Sequence, residues 1–218
     1  MSHEATPTSR TRGRPRAFDR AAALSQATRV FWEKGYEATS MADLTNAMGI
    51  GSPSLYAAFG SKEALYAEAL GYYRDNYEAL VWAKFFSEPT ARAAIEAFLL
   101  DSAAALTGCL VDIPRGCMVT LSAVGSEGQS DLGDLVRAAR GITLARLTAR
   151  LDRAVEEAEI PASVDVHAIA RFMQTVQGGM SIQARDGAHR SELEDVARVA
   201  MMGFDARIGA CAPVTRIE

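Results

Sequence analysis

The chain has 218 residues, 49% hydrophobic and 23% charged, with 23 Lys+Arg against 27 Asp+Glu and a formal net charge of −4. That is ordinary globular composition, long enough for one or two domains around a real core, and it excludes disorder or a fibre. The three irregularly spaced cysteines (Cys109, Cys117, Cys211) make neither a disulfide framework nor a metal pattern, and the polar N-terminus and the lack of a run of ~18 apolar residues exclude a secretory signal and a membrane span, so a reducing cytoplasm is the expected compartment.

Residues 1–16 are rich in Ser, Thr, Pro and Arg and have no periodicity, which predicts a flexible arm. Residues 1–20 hold five Arg against Glu4 and Asp19, a local charge of +3, while the rest of the chain carries −7. An acidic chain with a basic tip does not coat polyanions, but it can place that tip on one. From Phe18 the pattern turns helical: Leu24, Ala27, Val30 and Phe31 recur at helical spacing and Gly35 stops them. Ser40-Met-Ala-Asp43 has capping-box spacing and opens a short helix with Met41, Leu44 and Met48 on one face, ended by Gly49. A third short helix fits between Gly51 and Phe59, and a fourth is expected to run from Ser61 to Phe86.

The second half continues in the same way. Thr90–Leu106 is rich in Ala and Leu, whereas Ile113 to Gln129, broken by Pro114, Gly116, Gly125 and Gly128, predicts short helices with loops. Leu132, Leu135, Val136, Ala139, Ile142, Leu147, Leu151, Val155 and Ala158 form a long helical stripe. Pro161 and Ser163 break the chain. Val166 to Ala184 is then apolar on nearly all sides, with Gly178-Gly179 inside it, and Ser191 with Glu194 predicts the cap of a last helix to about Ile208. No stretch alternates with period two. The fold class is therefore all-α, with nine or ten helices.

Two short helices joined by Met48-Gly49-Ile50-Gly51 make a helix-turn-helix. Gly49 supplies the unusual backbone angle of the turn, and Gly51 or Ser52 caps the second helix with Pro53 in its first turn. The N-terminal end of that helix would enter a DNA major groove, with Ser52, Ser54 and Tyr56 offered to bases and phosphates. Lys62 at the start of the next helix, and Thr39 and Ser40 at the start of the preceding one, are the expected phosphate contacts on either side.

With these residues in view, the run from Phe18 to Leu65 resembles the DNA-binding domain of the TetR family of bacterial transcriptional regulators. The resemblance is carried by Gly13-Arg14-Pro15-Arg16, by Phe31-x3-Gly35-Tyr36-x2-Thr39-Ser40, by the turn at Gly49-Ile50, and by Leu55-Tyr56-x2-Phe59-x-Ser61-Lys62-Glu63-x-Leu65. It implies a flexible basic arm (1–16), a three-helix helix-turn-helix domain (17–64) and a helical effector-binding and dimerisation domain (65–218). It also implies a homodimer that reads a palindromic double-stranded DNA operator, with a ligand in the helical domain controlling the separation of the two heads. Gly51 stands where the family commonly has Ser or Thr, and Ala57 and Ala58 replace larger groups. Direct readout by Ser52, Ser54, Tyr56 and Ala57 is thin, so specificity is expected to lean on Arg14 and Arg16 in a narrow minor groove.

The remaining signals concern control. Trp82, Phe85, Phe86, Phe98, Met118, Phe172, Met173, Gln174 and Gln177 are candidates to line an effector pocket, whose aromatic and Met character predicts a largely apolar ligand with no buried charge for an anion. Apolar coverage in helices 132–159 and 165–185 exceeds what one core face needs, so Leu147, Leu151, Val155, Ile169, Val176 and Met180 are expected at the dimer interface. Cys109 and Cys117 read as small buried hydrophobes; Arg115 near Cys117 opens the alternative of a switch by cysteine oxidation. His3, His167 and His189 are isolated, so no metal and no cofactor is expected. No nucleophile–base pair or phosphate-binding Gly-rich loop suggests an enzyme.

Overall fold

The computed structural model describes residues 19–123 and 130–210. Among them are nine helices and no strand: α1 (Arg20–Lys34), α2 (Met41–Met48), α3 (Ser52–Phe59), α4 (Lys62–Tyr77), α5 (Ala79–Ser87), α6 (Ala91–Leu106), α7 (Ser130–Glu156), α8 (Val166–Arg185) and α9 (Arg190–Gly209). The arm residues Arg14 and Arg16 lie outside the described residues.

Most helix starts follow from local hydrogen bonding. Asp19, Ser40, Ser61, Thr90 and Asp165 each accept a backbone N–H of the first turn they precede. At Ser40 the box is reciprocal, because the Asp43 carboxylate accepts the Ser40 N–H at 2.9 Å. Gly49 closes α2 with φ +66°, a left-handed angle that suits glycine.

Three boundaries differ from the sequence pattern. The helix expected from Ser61 to Phe86 is two, split at Glu78: the half-buried Glu78 pairs with Arg146 of α7, and the chain turns there to lay Trp82 and Phe85 on α6. The cap of the last helix is His189 and not Ser191, because Glu192 accepts the His189 N–H at 2.7 Å and forms the box two residues early. Residues 107–123 form turns rather than short helices, since Gly108 and Gly116 adopt positive φ and Pro114 lacks a donor.

Two cores result. The N-terminal one gathers Ala27, Phe31, Tyr36, Leu44, Leu55, Phe59, Leu65 and Tyr66, and extends through Leu70 of α4 to Met118, Leu132 and Val136. The boundary expected at 64/65 thus falls within α4, whose inner face is shared with the head. The larger core joins α5 to α9 around Phe85, Ile95, Phe98, Leu99, Leu147, Leu151, Met173 and Phe204.

Candidate DNA interface and effector cavity

The head presents α3 outward. Leu55 and Phe59 turn inward and are fully buried, leaving Ser52, Pro53, Ser54, Tyr56 and Ala57 exposed along one side, with Tyr56 at 51%. Gly51 precedes them as a cap without a side chain; Pro53 has no N–H and the Ser54 and Leu55 N–H groups donate to the Gly51 carbonyl at 3.0 and 3.1 Å, which leaves the Ser52 N–H as the open donor at the start of α3. Arg20 braces this helix: its guanidinium stacks on Phe59, 4.4 Å from the ring centroid, and pairs with Glu68 at 2.7 Å. On one flank, Lys62 at the first turn of α4 holds its ammonium 4.3 Å from the Tyr36 ring centroid. Tyr36 donates to Glu63 at 2.8 Å. Burial, and then that bond, raise the Tyr36 phenol well above the ordinary tyrosine range. On the other flank, Ser40 is exposed but its hydroxyl serves Asp43. A hydrogen bond from Lys34 at 2.5 Å, reinforced by Ser40, holds the Asp43 carboxyl well below the usual range.

Behind the head lies a cavity of about 740 Å³, walled by α4 to α8, by residues 113–120 and by Trp32 of α1. Trp32 meets Tyr73 and Tyr77 edge-on, with centroids 4.7 and 5.2 Å apart. Trp82 and Phe98 complete the aromatic wall. Tyr73 donates to the Cys117 sulfur at 3.3 Å, and burial pushes its phenol well up. The polar wall is Arg74, Glu78, Arg140, Arg146, Arg171, Gln174 and Gln177. Arg146 pairs with Glu78 and stacks on Trp82 at 4.9 Å, and its burial lowers the guanidinium pKa. Arg140 donates to the carbonyls of Val119, Thr120 and Ser122.

The segment at Gly116 ties cavity and head together. The Trp32 indole N–H donates to the Gly116 carbonyl at 2.8 Å, the Cys117 N–H donates to Ser181 at 2.8 Å, and Gly116 N–H donates to Leu106 at 2.8 Å. From α8, Arg185 donates to the carbonyls of Arg115 (2.9 Å), Trp32 (2.8 Å) and Glu33 (3.3 Å). The last two are end carbonyls of α1, where a cation also meets the negative end of the helix dipole.

Comparison with known proteins agrees with this arrangement. Residues 23–69 match the model of the bacterial regulatory proteins, tetR family. The HTH-type transcriptional repressor ComR of Escherichia coli (strain K12) is 37% identical over 191 residues, covering 86% of this chain and 90% of ComR. The chain belongs to the TetR family. BdcR, another HTH-type transcriptional repressor of Escherichia coli (strain K12), is 33% identical, covering 91% of this chain and 93% of BdcR. A solved cysteine mutant of the TetR-family regulator CifR, complexed with 26-bp double-strand operator DNA, superposes with a TM-score of 0.81 at 38% identity. That match covers 88% of this chain and 100% of CifR.

Within this TetR-family chain the sequence candidates separate by burial. Gly51, Ser52, Pro53, Ser54, Tyr56 and Ala57 are exposed, as is Ser40, and Lys62 is half-buried. Thr39 does not: it is 1% exposed and donates its hydroxyl to Gly35 at 2.6 Å, so it shapes the approach to α2 and offers nothing to a phosphate. Trp82, Phe98, Gln174 and Gln177 line the cavity. Met118 belongs to the N-terminal core and Met173 to the larger one, while Phe86 (62% exposed) and Phe172 (48%) face solvent. Cys117 is half-buried on the cavity wall, but Cys109 is exposed and so is not a core residue.

The interface candidates need the same correction. Leu147, Leu151, Ile169 and Met180 are buried in the chain's own core, and Val155 and Val176 pack against it. A side chain covered within one protomer has little area left for a partner. The exposed apolar side chains are instead Phe172 and Ile182 of α8 and Val196, Val199 and Met202 of α9, with Val176 and Met180 flooring a groove between the two helices. The cavity arginines were also missed: none is buried, Arg74 and Arg171 being exposed and Arg140 and Arg146 half-buried, but they put charge on a wall expected to be largely apolar. Each lies on a stretch that reads as a solvated helix face, and only folding brings α4, α7 and α8 together.

Proposed function

We propose that the chain is a homodimeric repressor that holds a palindromic operator with its two α3 helices and releases it when a small molecule enters the cavity. Ser52, Ser54, Tyr56 and Ala57 meet base edges and backbone in the major groove, and the Lys62 side chain with the Ser52 and Lys62 N–H groups meets phosphates. Arg14 and Arg16 extend into the adjacent minor groove. Two copies join through α8 and α9, because two grooves about one helical turn apart (~34 Å) require two heads. The protein acts in the cytoplasm, where its operator is.

One observation supports ligand control above the rest: Trp32 is at once a wall of the cavity and part of the head, bonded to Gly116. A molecule that displaces Trp32 or the 115–117 segment shifts the end of α1, which Arg185 ties to α8. The two heads then no longer match the half-site spacing, and operator affinity falls as ligand affinity is used. The test begins with selection of bound duplexes from random DNA by the full chain, followed by gel shifts at several salt concentrations. Selection of an inverted repeat bound by two protomers is the expected result. A chain that stays monomeric and enriches no sequence refutes the proposal.

Cysteine oxidation as the switch has a specific support, since Cys117 stands on the cavity wall within 3.3 Å of the Tyr73 hydroxyl. Peroxide would then release the selected operator, dithiothreitol would restore it, and Cys117→Ser would abolish the response. Release by peroxide that persists in Cys117→Ser rejects this second reading.

A further inference from the structure

We infer that the cavity takes an amphiphilic organic anion, an aromatic or alicyclic body bearing one acidic group. The inference deepens the ligand-release reading and rests on it for its regulatory meaning. Four arginines and one glutamate are the charged residues of the wall among the described residues. Arg146 is matched by Glu78, and Arg74 by its neighbour Asp75. Arg140 and Arg171 are held differently. Arg140 donates to main-chain carbonyls, and Arg171 donates to the amide oxygen of Gln174 at 3.3 Å, while Gln174 donates to the Arg140 carbonyl at 2.9 Å. Neutral acceptors orient a guanidinium without cancelling its charge, so the wall keeps an excess of positive charge. The same wall is aromatic, with Trp32, Tyr73, Tyr77 and Trp82 among its lining residues and Arg146 stacked on Trp82. An apolar neutral molecule would cover the rings and leave the excess charge of Arg140 and Arg171 unanswered. A purely ionic one would waste the aromatic wall.

The probe is 8-anilinonaphthalene-1-sulfonate, compared with its uncharged parent N-phenyl-1-naphthylamine, each titrated by fluorescence into the full-chain protein. The anion is expected to bind about ten-fold more tightly, a difference that shrinks with added salt. Arg171→Gln, at an exposed position, should weaken the anion about five-fold and leave the amine within about two-fold. Arg140→Gln provides a second reading of the same kind should the first variant fail to fold. Equal affinity for both probes, or an anion affinity unmoved by both substitutions, overturns the inference. Gel shifts with the selected operator run alongside and separate the two ideas. Arginine-dependent anion binding with the operator still held keeps the anion site and removes ligand release. Release by the neutral amine, bound as tightly as the anion, does the reverse.

Discussion

Arg185→Gln tests how the body of the protein holds its DNA-reading head. The side chain comes from the last turn of α8 and donates to three carbonyls, two of them at the end of α1 some 150 residues earlier. Each bond has a charged donor, worth about 1.5–3 kcal/mol when fully desolvated. Arg185 is only half-buried, so water takes over part of that loss, and we expect about 2 kcal/mol for the glutamine variant. Arg185→Lys keeps a charge near the helix end, worth ~0.3–1 kcal/mol, and should fall between. The chain supplies its own reporters: of its two tryptophans, Trp32 lies in the N-terminal core and Trp82 in the larger one. Denaturant titrations in a Trp82→Phe background follow the head, and those in a Trp32→Phe background follow the body. With Arg185 present the two transitions should coincide. With Arg185→Gln the head should melt first, about 8–16 °C lower in a thermal scan, from about 4–8 °C per kcal/mol for so small a unit. Coincident transitions shifted by less than about 0.5 kcal/mol would show that Arg185 does not join the two units.

Gly116→Ala should destabilise the chain by more than about 2 kcal/mol, because φ is +79° and the added methyl would lie 2.4 Å from Leu121 Cδ1 and 3.0 Å from the Ser181 carbonyl; a wild-type denaturation midpoint would contradict this. The raised Tyr36 phenol makes its neutral form part of the fold, so that contribution is complete below about pH 10 and is lost as the pH climbs toward the folded value. Tyr36→Phe should therefore flatten the alkaline limb of a stability–pH curve, and an unchanged slope would dismiss the assignment. Asp43 has the opposite sign: its depressed carboxyl stabilises above the ordinary aspartate pKa, and that support fades as acid protonates it, a dependence Asp43→Asn should remove. Tyr56→Phe should leave the melting temperature alone and weaken operator binding several-fold, about 1 kcal/mol for one lost phosphate bond. Retention of full affinity would take Tyr56 out of the interface. Replacing Arg14 and Arg16 with Ala should erode the preference for A·T-rich flanks in a binding-site selection, and an unaltered preference would remove the arm from recognition.

Much of the head was legible because its rules are local. The Ser40–Asp43 box, the Ser61 cap and the left-handed Gly49 depend on residues within four positions of one another. Helical periodicity alone turned Leu44, Leu55 and Phe59 inward and left Ser54 and Tyr56 outside. Thr39 escaped that logic: a hydroxyl beside a cap reads as exposed, and only the return of the chain at Gly35 buries it.

Sequence by itself determined an all-helical chain with a helix-turn-helix near its start, since caps, turns and the 3.6-residue period are encoded between near neighbours. Tertiary structure decided which apolar stripe the chain covers for itself, so that Leu147 and Leu151 went inward and Val199 and Met202 stayed out, with Met202 at 70% exposure. It also decided that arginines from three helices share a wall with Trp32, and that Arg185 ends α1. An apolar stripe states that a helix has something to bury, and an arginine that it has charge to place. The partner of each is fixed by elements many tens of residues away, and no short window of sequence contains that information.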